Sequence, residues 1–162
     1  MKKLTLNRLG LEVLLDEVDY EYLQEFKWYP KIYATGHVYA YKSAWYFRGF
    51  THHFYMHKII TDTIHSGFDF HVDHINGNTL DNRRENLRVC SASQNIMNSR
   101  TRSNNKSGVR GVSFSAHHNG WMGQITRKDV GHIIQHFDTF EEAVEWRRAK
   151  ELELFGKFRR EA

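Results

Sequence analysis

The chain has 162 residues, of which 40% are hydrophobic and 26% charged, a balance that excludes wholesale disorder and leaves room for one domain or two small ones. No apolar run approaches a membrane span and no hydrophobic core follows Met1-Lys2-Lys3-Leu4-Thr5, so an intracellular protein without membrane contact is expected. Cys90 is the single cysteine, which excludes an intrachain disulfide and a zinc centre built from several thiolates, and the net charge of +4 matters less than its uneven distribution.

The first region, to about residue 56, opens with a strand at Leu4 and Leu6 and a second at Val13 to Leu15. A short helix begins near Asp16 or Asp19, inside a run from 12 to 25 that carries six acidic and no basic side chains. Val38 and Ala40 alternate with Tyr39 and Tyr41, and Trp45-Tyr46-Phe47 and His53-Phe54-Tyr55-Met56 follow; these are half-buried antiparallel strands with a turn near Arg48-Gly49. His57-Lys58-Ile59-Ile60 starts a helix that runs toward a break at Gly67.

In the second region, residues 70 to 100, Phe70-His71-Val72-Asp73-His74 is a short strand and Ile75 to Arg84 a loop rich in Asn, Asp and Gly. Leu87 to Cys90 is a second strand, placing Cys90 toward the core. Ser91-x-x-Gln94 is a capping box that starts a helix, which sets Asn95 in its first turns.

Residues 101 to 107 lack any apolar side chain and form a basic linker. Beyond it, Val109 to Ser115, Trp121 to Arg127 and His132 to Phe137 are three strands, with turns at His118-Asn119-Gly120 and Asp129-Val130-Gly131. Thr139-x-x-Glu142 is a second capping box, opening a helix from about Phe140 to Phe155 that Gly156 closes. Arg147 and Glu151 interrupt its apolar face at an i, i+4 spacing that can pair. From 86 to 128 there are seven basic residues (Arg88, Arg100, Arg102, Lys106, Arg110, Arg127 and Lys128) and no acidic one, as suits a surface facing a polyanion. From charge alone, a solvated basic face fits equally well.

A strand-loop-strand-helix unit of this size can bring the end of its first strand against the start of its helix. Asp73 and Asn95 would then supply oxygen ligands suited to a hard divalent ion, and His74 a base titrating near neutrality. The segment resembles the HNH endonuclease motif with its ββα-metal fold, through Asp73 and His74, then Asn86 twelve residues after His74, then Asn95 nine further on. The resemblance implies His74 as general base, Asp73 and Asn95 as ligands of one Mg²⁺ or Mn²⁺ ion, and Asn86 as a brace of the loop. Asp73 stands where many members have His, which points to the homing-endonuclease branch. Val18-Asp19-Tyr20-Glu21-Tyr22-Leu23 and Met56-His57-Lys58-Ile59-Ile60 are similar to the leader region of phage-type members. The C-terminal unit, with Asn105-Lys106-Ser107-Gly108-Val109-Arg110-Gly111-Val112, resembles the Apetala or ethylene-response-factor type of DNA-binding domain, in which strand residues matching Arg110, Trp121 and Arg127 meet bases and backbone. Gly123, where Ala is usual, and Arg147 depart from that pattern.

The expected architecture is α+β: an HNH nuclease domain over 1–100 with its core at 70–100, a linker at 101–107, and a three-stranded antiparallel sheet with one packed helix over 108–162. The expected function is metal-dependent hydrolysis of phosphodiester bonds in double-stranded DNA by a monomer that nicks one strand, acting in the cytoplasm of a bacterial host. Arg100, Arg102 and Lys106 are expected to follow the DNA backbone, and Arg88 to bind DNA. The alternative is a DNA-binding regulator whose nuclease centre is vestigial. His57 either touches the scissile phosphate or packs, with packing preferred; His52, His53, His117 and His118 are surface residues, and Trp121 is either a core anchor or a DNA contact.

Overall fold

Apolar side chains at every second position build the first sheet. In the computed structural model, which describes residues 1–45, 51–65, 70–98 and 105–158, Lys2–Thr5 (β1) and Glu12–Leu15 (β2) pair antiparallel with Leu4 opposite Val13. Leu4, Val13 and Leu15 fall on one face and are buried, while Lys3 and Glu12 pair at 2.6 Å on the exposed one. Asp16, in an extended conformation, precedes helix α1 (Glu17–Leu23), whose first turn carries Glu17 and Asp19 at the end where carboxylates favour the helix dipole. The carbonyl of Leu23 accepts a bond from Trp28 Nε1 at 2.8 Å, so the fully buried indole fills the core with its polar atom satisfied.

Tyr29–Ile32 (β3), Val38–Trp45 (β4) and Thr51–Tyr55 (β5) form an antiparallel sheet in the order β3-β4-β5. Strand β3 is not among the elements expected from the sequence, and Pro30 stands within it. The strand is nonetheless admissible because it lies at a sheet edge, where a residue without an N–H does not interrupt a second ladder. Helix α2 (Met56–Ile60) is about one turn long and does not continue past Thr61, because Asp62 takes a positive φ of 53°. The expected turn at Arg48-Gly49 and break at Gly67 lie outside the described residues, as do Arg100, Arg102 and residues 101–104 of the expected linker.

Phe70–His74 (β6) and Leu87–Ser91 (β7) pair antiparallel, with Phe70 opposite Ser91 and His74 opposite Leu87. A loop and a 3-10 turn at Arg84–Asn86 join them, and helix α3 (Ala92–Met97) follows directly. The capping box forms as the sequence predicts: Ser91 N–H donates to Gln94 Oε1 at 2.9 Å and Gln94 N–H to Ser91 Oγ at 3.3 Å. Leu87 of β7 shares one core with Leu4, Leu6, Val13, Leu15, Leu23, Trp28 and Met56, so the first 60 residues and the hairpin bury their apolar faces together.

The chain divides into two compact units, Met1–Asn95 and Ile96–Ala162. In the second, Val112–Ser115 (β8), Gly120–Arg127 (β9) and Gly131–Phe137 (β10) form an antiparallel sheet in the order β10-β9-β8, packed with helix α4 (Phe140–Phe155). Strand β8 begins three residues later than expected. Gly108 and Gly111 both adopt positive φ, and Ser107 Oγ binds the carbonyls of Val109 and Val112, so the preceding segment is spent on turns. Thr139 and Glu142 make the predicted capping box, and Arg147 pairs with Glu151 at 2.9 Å. Val112, Ala143 and Val144 form the core, with Trp121, Phe137 and Phe140 packed against it. The whole is a mixture of strands and helices with small antiparallel sheets, as an α+β class requires.

Candidate active site

Strand β6 delivers Asp73 and His74 at its C-terminal end, both buried. Period two sends their side chains to opposite faces of the hairpin, and their surroundings differ accordingly. Asp73 lies opposite Arg88 of β7, whose Nε and Nη2 both donate to Asp73 Oδ2, at 2.8 and 2.6 Å. Arg88 is expected to bind DNA; in the protein alone its guanidinium is on the carboxylate expected to bind metal.

His74 meets a cluster of rings and one amide. Its Nε2 lies 3.2 Å from Asn82 Oδ1, and the rings of His57 and Tyr39 lie 5.4 and 6.0 Å from it, centroid to centroid. Burial lowers the His74 pKa below the ordinary imidazole range, against the opposing influence of Asn82 and nearby carboxylates. His57 is pushed down to about 3, by burial first and then by His74 and Lys58. Both imidazoles are therefore neutral at neutral pH, and His74 carries the lone pair that a proton acceptor needs.

The loop between the strands is held by amides and one carboxylate. Asn86 Oδ1 accepts from the Asn76 N–H at 2.9 Å, Asn86 Nδ2 donates to the Asp81 carbonyl at 2.7 Å, and the Ile75 N–H donates to the Asn86 carbonyl at 2.9 Å. The Asp81 carboxylate accepts from Arg83 Nε and Nη2, each at 2.8 Å, and from Asn76 Nδ2 at 2.9 Å. Arg83 holds its carboxyl below the usual range. The N-terminal region grips the same loop. Leu14 pairs with Asp81 in a parallel bridge, Asn82 N–H donates to the Leu14 carbonyl at 2.9 Å, Arg84 binds Asp19 through two nitrogens at 2.8 and 2.7 Å, and Thr79 Oγ1 donates to the Val38 carbonyl.

Half-buried Asn95, from the first turns of α3, lines a cleft of about 290 Å³ with Tyr39, Tyr55, His57, Lys58 and Val72. The cleft thus contains one of the two expected oxygen ligands and lies beside the strand that carries the other. His57, expected either to pack or to touch the scissile phosphate, is buried and also lines the cleft next to His74. Asp81 and Asn82 are not among the site residues expected from the sequence. The Asn-rich loop was the signal, but nothing in its composition tells which amide turns inward. Among the described residues no group of three or more His, Cys, Asp or Glu side chains is arranged as a metal centre. A hard ion would find the Asp73 carboxylate and the Asn95 amide, an oxygen set that fits it chemically and leaves most of the shell to water and phosphate.

In the second unit Trp121 packs against the core with its ring 4.7 Å from that of Phe140. Arg127 forks onto Asp129 and donates to the Leu154 carbonyl, while Arg110 donates to the Ile96 carbonyl at 3.0 Å. Lys106 is exposed. His52, His53, His117 and His118 are exposed, and Cys90 is buried with its thiol pushed up to about 11 by burial. Among the described residues no helix is long and apolar enough to cross a membrane.

Residues 67–97 match the family model described as HNH endonuclease. The chain is 34% identical over 91 residues to Protein 3.8 of Escherichia phage T7, covering 56% of this chain and 74% of that protein. It is 35% identical over 106 residues to the uncharacterized HNH endonuclease L560 of Acanthamoeba polyphaga mimivirus, covering 64% of this chain and 54% of that protein. No solved structure matches. The matched segment begins just before β6 and ends within α3, so it encloses the buried Asp73–His74 pair, the braced loop and Asn95; the chain belongs to the family of phage T7 Protein 3.8 and carries an HNH endonuclease domain.

Proposed function

We propose that the protein is a divalent-metal-dependent DNA endonuclease of the HNH homing type that nicks one strand of duplex DNA, encoded by a phage or mobile element and acting as a monomer in the host cytoplasm. The observation that carries this reading is the neutral, buried His74 beside Asp73 at the end of β6, within the segment that matches the HNH model. His74 accepts the proton of the attacking water. Asp73 and Asn95 hold one Mg²⁺ or Mn²⁺ ion, and the β6–β7 hairpin with α3 serves as the ββα-metal motif. When bound, the ion stabilises charge on the scissile phosphate and on the departing oxygen. Asn86 keeps the loop closed so that the strand end and the helix start hold their spacing.

The second unit serves to place the enzyme on DNA in the manner of an Apetala-type domain, supported by its three-stranded sheet and packed helix and by the absence of any carboxylate from its residues 96–128. In this reading Lys106, Arg100 and Arg102 follow the backbone, and Arg110, Trp121 and Arg127 contact the duplex. Arg88 and Arg127 each hold a carboxylate in the protein alone, so DNA contact requires them to exchange it for phosphate.

The test is nicking of supercoiled plasmid with and without EDTA. His74→Ala, Asp73→Ala and Asn95→Ala are expected to abolish nicking while retaining DNA affinity. Metal-dependent nicking by His74→Ala removes the proposed base, and nicking insensitive to EDTA removes the ion.

A further inference from the structure

We propose that Asn82 is the positioning residue of His74, resting on the reading of His74 as the base: its side-chain oxygen holds the imidazole proton on Nε2 and so leaves Nδ1 as the nitrogen that receives the proton of water. A neutral imidazole has two tautomers, and the nitrogen that carries the hydrogen cannot be the base. Asn82 Oδ1, 3.2 Å from His74 Nε2, accepts only if Nε2 is protonated. The acceptor is rigidly mounted. Asn82 is 1% exposed, its N–H is tied to the Leu14 carbonyl of β2, and Leu14 is flanked by the fully buried Val13 and Leu15.

The other half of the amide argues that packing does not explain this residue. Asn82 Nδ2 is buried and finds no hydrogen-bond partner among the described residues. A stranded buried amide donor is costly, because its bond to water is lost and nothing replaces it. A Leu of the same branching would avoid that cost at a position needed only for filling space, whereas the contact with His74 gives the amide a use. Turning the amide over would present Nδ2 to Nε2, strand Oδ1 instead, and move the imidazole proton to Nδ1. The two arrangements predict opposite tautomers, which makes the assignment measurable.

The experiment is long-range ¹H–¹⁵N NMR of the full chain labelled in histidine, at mildly alkaline pH, with His74 assigned through the His74→Ala spectrum. The wild type is expected to show His74 with a pyrrole-like Nε2 and a pyridine-like Nδ1. Asn82→Leu is expected to lose that pattern and to nick plasmid roughly 10- to 100-fold more slowly at unchanged DNA affinity. Asn82→Asp retains an acceptor at the same place, and is expected to keep the Nε2–H form and most of the rate. Hydrogen exchange of the β6–β7 peptides checks that each variant is folded. A wild-type pattern with the proton on Nδ1 overturns the proposal, and so does an unshifted tautomer in folded Asn82→Leu while His74→Ala is inactive. A shifted tautomer with undiminished nicking overturns the reading of His74 as base, and the proposal with it. If Asn82→Leu does not fold, Asn82→Asp decides alone: the proton on Nδ1 in that variant overturns it.

Discussion

Replacing Asp81 by Ala should loosen the loop that carries Asn82 and Asn86, and the structure sets both the size and the pH dependence of the loss. The carboxylate is almost fully buried and accepts three well-formed bonds, two from Arg83 and one from Asn76. Its donors are not stranded when it goes. The Arg83 side chain is 28% exposed and also reaches Glu85, while Asn76 is exposed. The loss therefore falls between the ~0–1 kcal/mol of an exposed ion pair and the ~3–5 kcal/mol of a buried pair that leaves a partner charge behind, at about 2–3 kcal/mol. Because the Arg83 bonds hold the Asp81 pKa below its ordinary value, the contribution is complete above the ordinary carboxylate range. It disappears as pH falls through the native value, since the unfolded state takes up its proton first. Urea unfolding, followed by hydrogen exchange of peptides from 70–91 so that the first unit is read by itself, should give a wild-type advantage that is constant at neutral pH and shrinks below about pH 4. An advantage under about 0.5 kcal/mol, or one that does not change with acid, would refute the assignment of the loop's stability to this carboxylate.

Arg84→Ala removes a two-point bond to Asp19, but the Arg84 side chain is 60% exposed, so about 1 kcal/mol or less should be lost from the first unit, and added salt should narrow the difference. Gly111→Ala should be far more severe: φ is +74°, and the new Cβ would strike the Gln124 carbonyl oxygen and come within 2.5 Å of Arg147 Nε, so a loss above about 3 kcal/mol confined to peptides of 105–158 is expected in the same exchange experiment. Cys90 should resist alkylation in the native protein and react on unfolding, since its thiol is buried and pushed up to about 11; rapid native labelling by iodoacetamide would contradict that burial.

Features encoded within a few residues were readable without the fold. Both capping boxes, Ser91 with Gln94 and Thr139 with Glu142, form as the spacing implies, and so does the Arg147–Glu151 pair one turn apart. Strand β6 and the start of β7 follow from short apolar runs bounded by loop residues. What was not readable depends on partners far away in the chain. β3 exists because β4 offers it a ladder, and its own residues, with Pro30 among them, give no alternation to detect. The late start of β8 has the same origin in reverse: Ser107 and two positive-φ glycines spend on turns a segment whose apolar content alone suggests a strand.

The same distinction accounts for the first 56 residues, to which sequence reasoning assigned no chemistry. Glu12 and Glu17 of their acidic run pair with nearby Lys3 and Lys2, but the partners of Asp16 and Asp19 lie more than 60 positions further on: Asp16 accepts from the Arg84 N–H and Asp19 from the Arg84 guanidinium. Leu14 holds Leu80, Asp81 and Asn82 through main-chain bonds, which are independent of side-chain identity and leave no mark on composition. Val38 anchors Thr79, and the sheet that contains it presents Tyr39 to His57 and His74. An isolated two-stranded hairpin is marginal in water. The β6–β7 pair with its long loop acquires a fixed geometry only by being bound along one side to β2 and α1 and by burying Leu87 in their core. The motif residues mark where the chemistry is, and the unmarked N-terminal sheets and helix hold those residues in place; replacing the fully buried Trp28 by Ala should therefore disturb His74 without touching it, read as a shift of the His74 ring ¹⁵N signals.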